Sequence, residues 1–114
     1  MTQDSDRAKR IAALNDQFRK DPRRLGKAFT TDGVASLGFD FVRQAMAAVA
    51  AFDSFSAGND PFGEHDFGSF ALDGEKLCWK IDYYDSADPD LGAADAGNPA
   101  TTERVLTLML ASEY

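Results

Sequence analysis

The chain has one cysteine, one histidine and one tryptophan among its 114 residues, and each scarcity removes a class of function. A single thiol, Cys78, cannot close an internal disulfide, so a reducing cytoplasm is the expected location. One imidazole and one thiol cannot supply the Cys/His set of a typical catalytic zinc site. No apolar run approaches the ~20 residues of a membrane span. The opening MTQDSDRAKR has no apolar region behind its charges, so no secretory signal is expected. There is no Gly-rich phosphate loop and no nucleophile elbow. Cations are the minority too: 12 Lys and Arg stand against 19 Asp and Glu, for a net charge of −7.

What is present is a folded core. A hydrophobic fraction of 44 % with nine Phe fits one domain spanning 1–114, with 1–4 expected to be disordered. The charge is unevenly spread: residues 1–27 sum to +4 and residues 59–100 to −8. Either the first helix pairs with the acidic half, or two faces differ electrostatically, or the charge is solvation alone.

Residues 5–20 read as a helix on the stripe Ile11, Leu14 and Phe18, with Ser5 or Asp6 as N-cap and Asp21-Pro22 as the stop. The stripe is narrow, which predicts a helix at the domain edge with Arg7, Lys9, Arg10, Arg19, Lys20, Arg23 and Arg24 on its outer faces. Lys27–Thr31 predicts a short edge strand, and Asp32-Gly33 a turn. Gly38 opens a helix to about Phe52 with two adjacent stripes: Phe39, Val42, Met46 and Val49, then Phe41, Ala45, Ala48 and Phe52. So much alanine suits close packing on a sheet.

Asp73-Gly74 between two alternating runs is a strong hairpin signal, because Gly tolerates positive φ and the primed turn matches strand twist. With those two residues as the loop, paired positions sum to 147. Phe70 then faces Leu77, Gly68 faces Trp79, Ser69 faces Cys78 and His65 faces Asp82. One face collects Phe70, Leu72, Leu77, Trp79, Ile81 and Tyr83 and should meet the Ala-rich helix. Gly68 would leave room for the indole. Residues 86–100 are small, acidic and turn-forming, a long loop that is either mobile or an interaction element. The final VLTLML suits a buried strand, although a helix of that composition exists. The fold class expected is α+β: a small antiparallel sheet (hairpin 66–84 plus a C-terminal strand) with two helices on one face.

Several strings occur together and in order: GVASLG (33–38), GEHDFGSF (63–70), WKIDYYD (79–85) and RVLTLMLASEY (104–114). In these, over most of residues 11–114, the chain resembles a bacterial domain-of-unknown-function family, the one catalogued as thirty-seven sixty-eight. The family carries no established activity, so the resemblance implies no catalytic residues. Its setting is similar to that of small proteins on plasmids and mobile elements beside antirestriction genes. That setting implies a role against host defence, such as restriction or CRISPR.

The residues themselves offer one cluster with chemical potential, His65, Asp66 and Asp82 near Glu64 and Asp85. It could hold a divalent cation or poise a general base, as in a metal-assisted hydrolase; it could equally pin the hairpin base or touch a partner. The favoured reading is non-enzymatic, with no cofactor. Asp60, Glu64, Asp66, Asp82, Asp85, Asp88, Asp90 and Asp95 would bind a host protein at a site built for phosphates, competing with nucleic acid. Direct nucleic-acid binding is not expected from so acidic a surface, because phosphate contact relies on clustered cations. The protein would be a monomer, or a homodimer formed through an exposed sheet edge.

Overall fold

Local sequence punctuation sets the element order. The computed structural model describes residues 3–114. Helix α1 covers Gln3–Lys20 and stops at Asp21-Pro22, after which α2, Pro22–Leu25, makes one turn. Of the stretch 1–4, expected to be disordered, residues 1 and 2 lie outside the described residues, and the backbone of 3 and 4 begins the helix. Strand β1 is Gly26–Thr30. The expected turn at Asp32-Gly33 is instead a one-turn helix, α3 (Asp32–Ala35). The reason is a cap that the turn signal hid: Thr31 accepts from the Val34 amide through its side chain. Helix α4 runs Phe39–Ala51 behind Gly38. Then come β2 (Phe67–Leu72), β3 (Glu75–Asp85), β4 (Thr102–Leu110) and a closing 3-10 turn, Ala111–Glu113. Among the described residues no helix is long and apolar enough to cross a membrane.

The fold is α+β. Its four strands lie in the order β1-β4-β3-β2. The hairpin has the register expected, from Phe67 opposite Lys80 to Leu72 opposite Glu75. Both loop residues have positive φ, 52° at Asp73 and 82° at Gly74, as a primed turn requires. Strand β4 joins β3 antiparallel, pairing Trp79 with Leu108 and Ile81 with Leu106. The fourth strand departs from expectation. β1 pairs with β4 in parallel, Gly26 opposite Arg104 to Thr30 opposite Leu108, so the sheet is mixed. A parallel neighbour needs a long crossover, and α3, α4 and the hairpin all lie within it.

Period-two alternation puts Leu77, Trp79 and Ile81 of β3 on one face with Leu106 and Leu108 of β4. Phe18 of α1, Val34 of α3, and Ala45 and Val49 of α4 join them in a single buried cluster. The helices therefore supply one face only. Gly68 lies opposite Trp79, and a Cβ there would collide with the indole and with Phe52. Over the other face the chain end folds back, so that Tyr114 packs on Phe67 at 5.3 Å. Cys78 and Met109 are buried there, while Phe29 is left 52 % exposed.

Candidate functional site

Positions 11, 15, 18 and 19 share one side of a 3.6-residue helix, so the apolar stripe of α1 carries two polar members. Both are buried: Asn15 is fully enclosed and Arg19 only 4 % exposed. Arg19, expected on an outer face, turns inward because the C-terminal carbonyls of α4 need donors. Its Nε donates to Val49 O at 3.1 Å and its Nη2 to Phe52 O at 2.9 Å. Its Nη1 donates to Asp16 Oδ1 at 2.8 Å. The guanidinium lies 4.9 Å from the Trp79 ring and 5.3 Å from the Phe55 ring. An arginine alone combines this planar stacking with a fork of donors.

His65 joins the same group, and this corrects the expected pairing with Asp82. Strand β2 begins only at Phe67, and His65 sits before it at φ 56°. The buried Asp60 holds it there: its Oδ1 accepts from the amides of Glu64 and His65 at 3.1 and 3.2 Å. The imidazole stacks on Phe55, centroids 3.9 Å apart and planes within 3°. Its Nδ1 lies 2.9 Å from Asp16 Oδ1. Asp16 already accepts from Arg19, and a carboxylate offers no donor, so Nδ1 carries the shared proton. Asp60 Oδ2 is 3.7 Å from Nε2. Asp82 instead pairs with Lys80 at 3.0 Å. His65, Asp66 and Asp82 do not form a ligand set; among the described residues no group of three His, Cys, Asp or Glu is arranged to hold a metal ion. Asp16, Arg19, Lys20, Asp53, Phe55 and His65 line an open cavity of about 580 Å³ between the C-terminal ends of α1 and α4.

Behind it lies a second polar group, also on α1. Asn15 Nδ2 donates to Glu64 O at 2.9 Å and to Tyr83 Oη at 2.8 Å. Tyr83 donates in turn to Glu64 Oε1 at 3.2 Å. The fully buried Arg104 gives Nε to Asn15 Oδ1 at 2.7 Å and Nη2 to Ala96 O. Its Nη1 has no protein partner, and its guanidinium lies 5.3 Å from the Tyr83 ring. Burial pushes the Tyr83 phenol well above the usual range, with nearby Asp66 and Glu64 adding to it. Burial lowers Arg104, against the opposing pull of Tyr83 and Glu64. Burial also raises the Asp66 carboxyl, helped by Glu64.

The eight carboxylates expected to form one rim separate into two sets. Asp60 is buried and Glu64 and Asp66 partly so; Asp60 organises the loop before β2 and Glu64 accepts from Tyr83. Asp95 holds the long loop to α1: it lies 3.3 Å from Arg7 Nε and 3.7 Å from Arg10 Nη2. It also accepts from the Gly97 amide at 2.9 Å, the main cause of its lowered pKa. The basic first helix thus pairs with the acidic half of the chain. The loop 86–100 is tied down further by Thr102 Oγ1 to Asp95 O, 2.9 Å, and by Arg10 Nε to Gly97 O, 3.2 Å. From the end of β3 into the following turn, Asp82 and Asp85 are partly buried and Asp88 and Asp90 exposed. Asp85 Oδ1 accepts from the amides of Ala87 and Asp88, and Asp88 Oδ1 from the amide of Asp90, which fixes the side chains of Asp85 and Asp88.

A family model described as "Protein of unknown function (DUF3768)" matches residues 30–113. The chain belongs to that family. The DUF3768 match takes in His65, Tyr83, Arg104 and all eight carboxylates, and it begins after α1, which brings Asn15, Asp16 and Arg19. No curated protein and no solved structure matches the chain.

Proposed function

We propose that this DUF3768 protein is a small acidic interaction protein, of the kind carried by mobile elements, that inhibits a host defence complex by binding it. The observation that supports this reading is the acidic turn after β3, formed by Asp85, Asp88 and Asp90, whereas Asp82 is paired with Lys80. Backbone amides hold two of these side chains in fixed directions, so few rotamers are lost on docking. Carboxylates on such a turn suit a partner surface that handles phosphates, by charge complementarity. The turn is short beside a duplex, which carries one charge per ~1.7 Å of axis; a local patch contact, rather than imitation of DNA along its length, is the reading. Asp60, Glu64 and Asp95 act here through contacts within the fold, and the Asp66 carboxyl is partly buried.

The test is capture of purified restriction and CRISPR complexes by the immobilised protein, with an interference assay in cells. The triple variant Asp85→Lys, Asp88→Lys, Asp90→Lys should weaken capture by about tenfold or more, the scale of a lost charge pair. Wild-type binding should also fall as salt rises. Absence of any captured complex, with plasmid and phage interference unchanged, overturns the proposal.

A further inference from the structure

Strand β2 is the outer strand of the sheet. In the hairpin the amide of Ile81 donates to Asp66 O at 2.9 Å, which makes 66 and 81 a hydrogen-bonded pair. Alternation then turns the backbone groups of Gly68, Phe70 and Leu72 toward β3, and those of Phe67, Ser69 and Ala71 outward. Among the described residues no turn, loop or helix donates to or accepts from that outward row. Edges of this kind are usually blunted by lysine, proline or a bulge. FGSFAL has no charge and no proline, in a chain where 27 % of residues are charged.

We infer that β2 is a self-association edge, which takes β2 of a second copy of this chain antiparallel across a two-fold axis at Ser69. The side chains select this register. Ser69 meets its own equivalent, Phe67 meets Ala71 of the second copy, and Phe70 meets Gly68 of the second copy. Each large ring faces a small residue, and no two like charges oppose. Asp66 falls opposite Leu72 of the second copy. Three narrow pairs supply about six backbone hydrogen bonds. The two-fold also sets both helix layers on the same side of one continuous eight-stranded sheet. On that side Phe70 and Leu72 of β2 are only partly buried at the margin of the core, so the second copy adds to their burial. The net −7 of each copy opposes approach, and salt therefore tightens the dimer. This association does not depend on the acidic turn at 85–90, which lies at the far end of β3 from the hairpin turn.

Sedimentation equilibrium of the full chain over a concentration series should return a dimer whose affinity rises with salt. Ser69→Asp places two carboxylates at the axis and should weaken association by about tenfold or more, with the circular dichroism spectrum unchanged. Ser69→Cys in a Cys78→Ala background gives an independent gain of signal. Narrow pairs bring Cα atoms to about 5.5 Å, within disulfide reach, so mild oxidation should yield a covalent dimer. A wild type that stays monomeric at every concentration overturns the inference, including the case where it captures a strand from another protein. So does a dimer that Ser69→Asp leaves intact and Ser69→Cys does not cross-link.

Discussion

Gly68 shows how much one missing methyl can carry. The indole of Trp79 occupies the space its Cβ would take, and Phe52 closes on the same point. Overpacking of this kind costs about 1–3 kcal/mol, so Gly68→Ala should lower the unfolding free energy by that amount, read as a lower urea midpoint with the slope unchanged. Asp66 makes a different statement. Its carboxyl titrates above the usual range in the folded state, chiefly through burial. The native state therefore holds that proton to higher pH than the unfolded chain does. This term lowers stability as pH rises through the interval above the ordinary carboxylate value, and gives it back on acidification. Asp66→Asn should remove that part of the slope and leave the protein more stable near neutrality, as read by urea unfolding at a series of pH values. Asp95 and Glu113 run the other way. Hydrogen bonds from Gly97 and from Thr31, respectively, are the leading causes of their lowered pKa. Their contribution is full above the usual carboxylate range and fades as pH falls through the folded value.

At the scale of elements, α1 is the piece on which the polar interior depends. Arg19 joins it to the end of α4 with bonds to Val49 O and Phe52 O. Arg19→Ala should cost about 3 kcal/mol by removing the donor to Phe52 O and stripping a stacked group from Trp79. Denaturant unfolding measures it, and Arg19→Lys should recover little, because a point charge cannot form the fork. Arg7 and Arg10 sit on the exposed side and hold the loop at Asp95. Replacing both with Ala should cost no more than about 1 kcal/mol, yet hydrogen exchange at Ala96 and Gly97 should accelerate as the loop opens locally.

These two helical roles also mark where the sequence stops being readable. The hairpin register, the Trp79–Gly68 fit and the extent of α4 follow from local turn chemistry and alternation, which act over a few residues. The inward turn of Arg19 depends on a carbonyl thirty residues away, and the position of His65 on a loop that Asp60 bends back through its side chain. A residue count across the hairpin extended the ladder to His65; the positive φ before β2 ends it two residues earlier. A signal was present for Asn15 and Arg19, since both fall on the apolar stripe begun by Ile11. The parallel placement of β1 has no local signature, because it is decided by which edge of β4 is left open.

For the whole molecule, the layers divide the labour. Helices cover one face of the sheet and the chain end partly covers the other, while β2 and the turn after β3 present two unlike borders, one uncharged and one acidic. Separate loss of function at each is therefore expected. A Ser69→Asp monomer should keep its affinity for a captured complex per protomer, and the triple lysine variant should keep its dimer. Comparing the two proteins by sedimentation and by capture separates the borders.

The place of β4 between β1 and β3 has a consequence for how the molecule comes into being. On a ribosome, Gly26–Thr30 emerges long before Thr102–Leu110, the strand it must pair with. Of the three strand pairings only the hairpin joins immediate neighbours in sequence, so it is the natural nucleus of the sheet, and β1 joins in the last step. Gly74→Ala, at φ 82°, should then slow refolding, whereas Ala28→Gly in β1 should chiefly quicken unfolding. Stopped-flow rates in both directions distinguish this order from one in which β1 docks early. Until β4 arrives, the nascent chain holds an apolar hairpin with both borders bare, a stage at which a chaperone would find it.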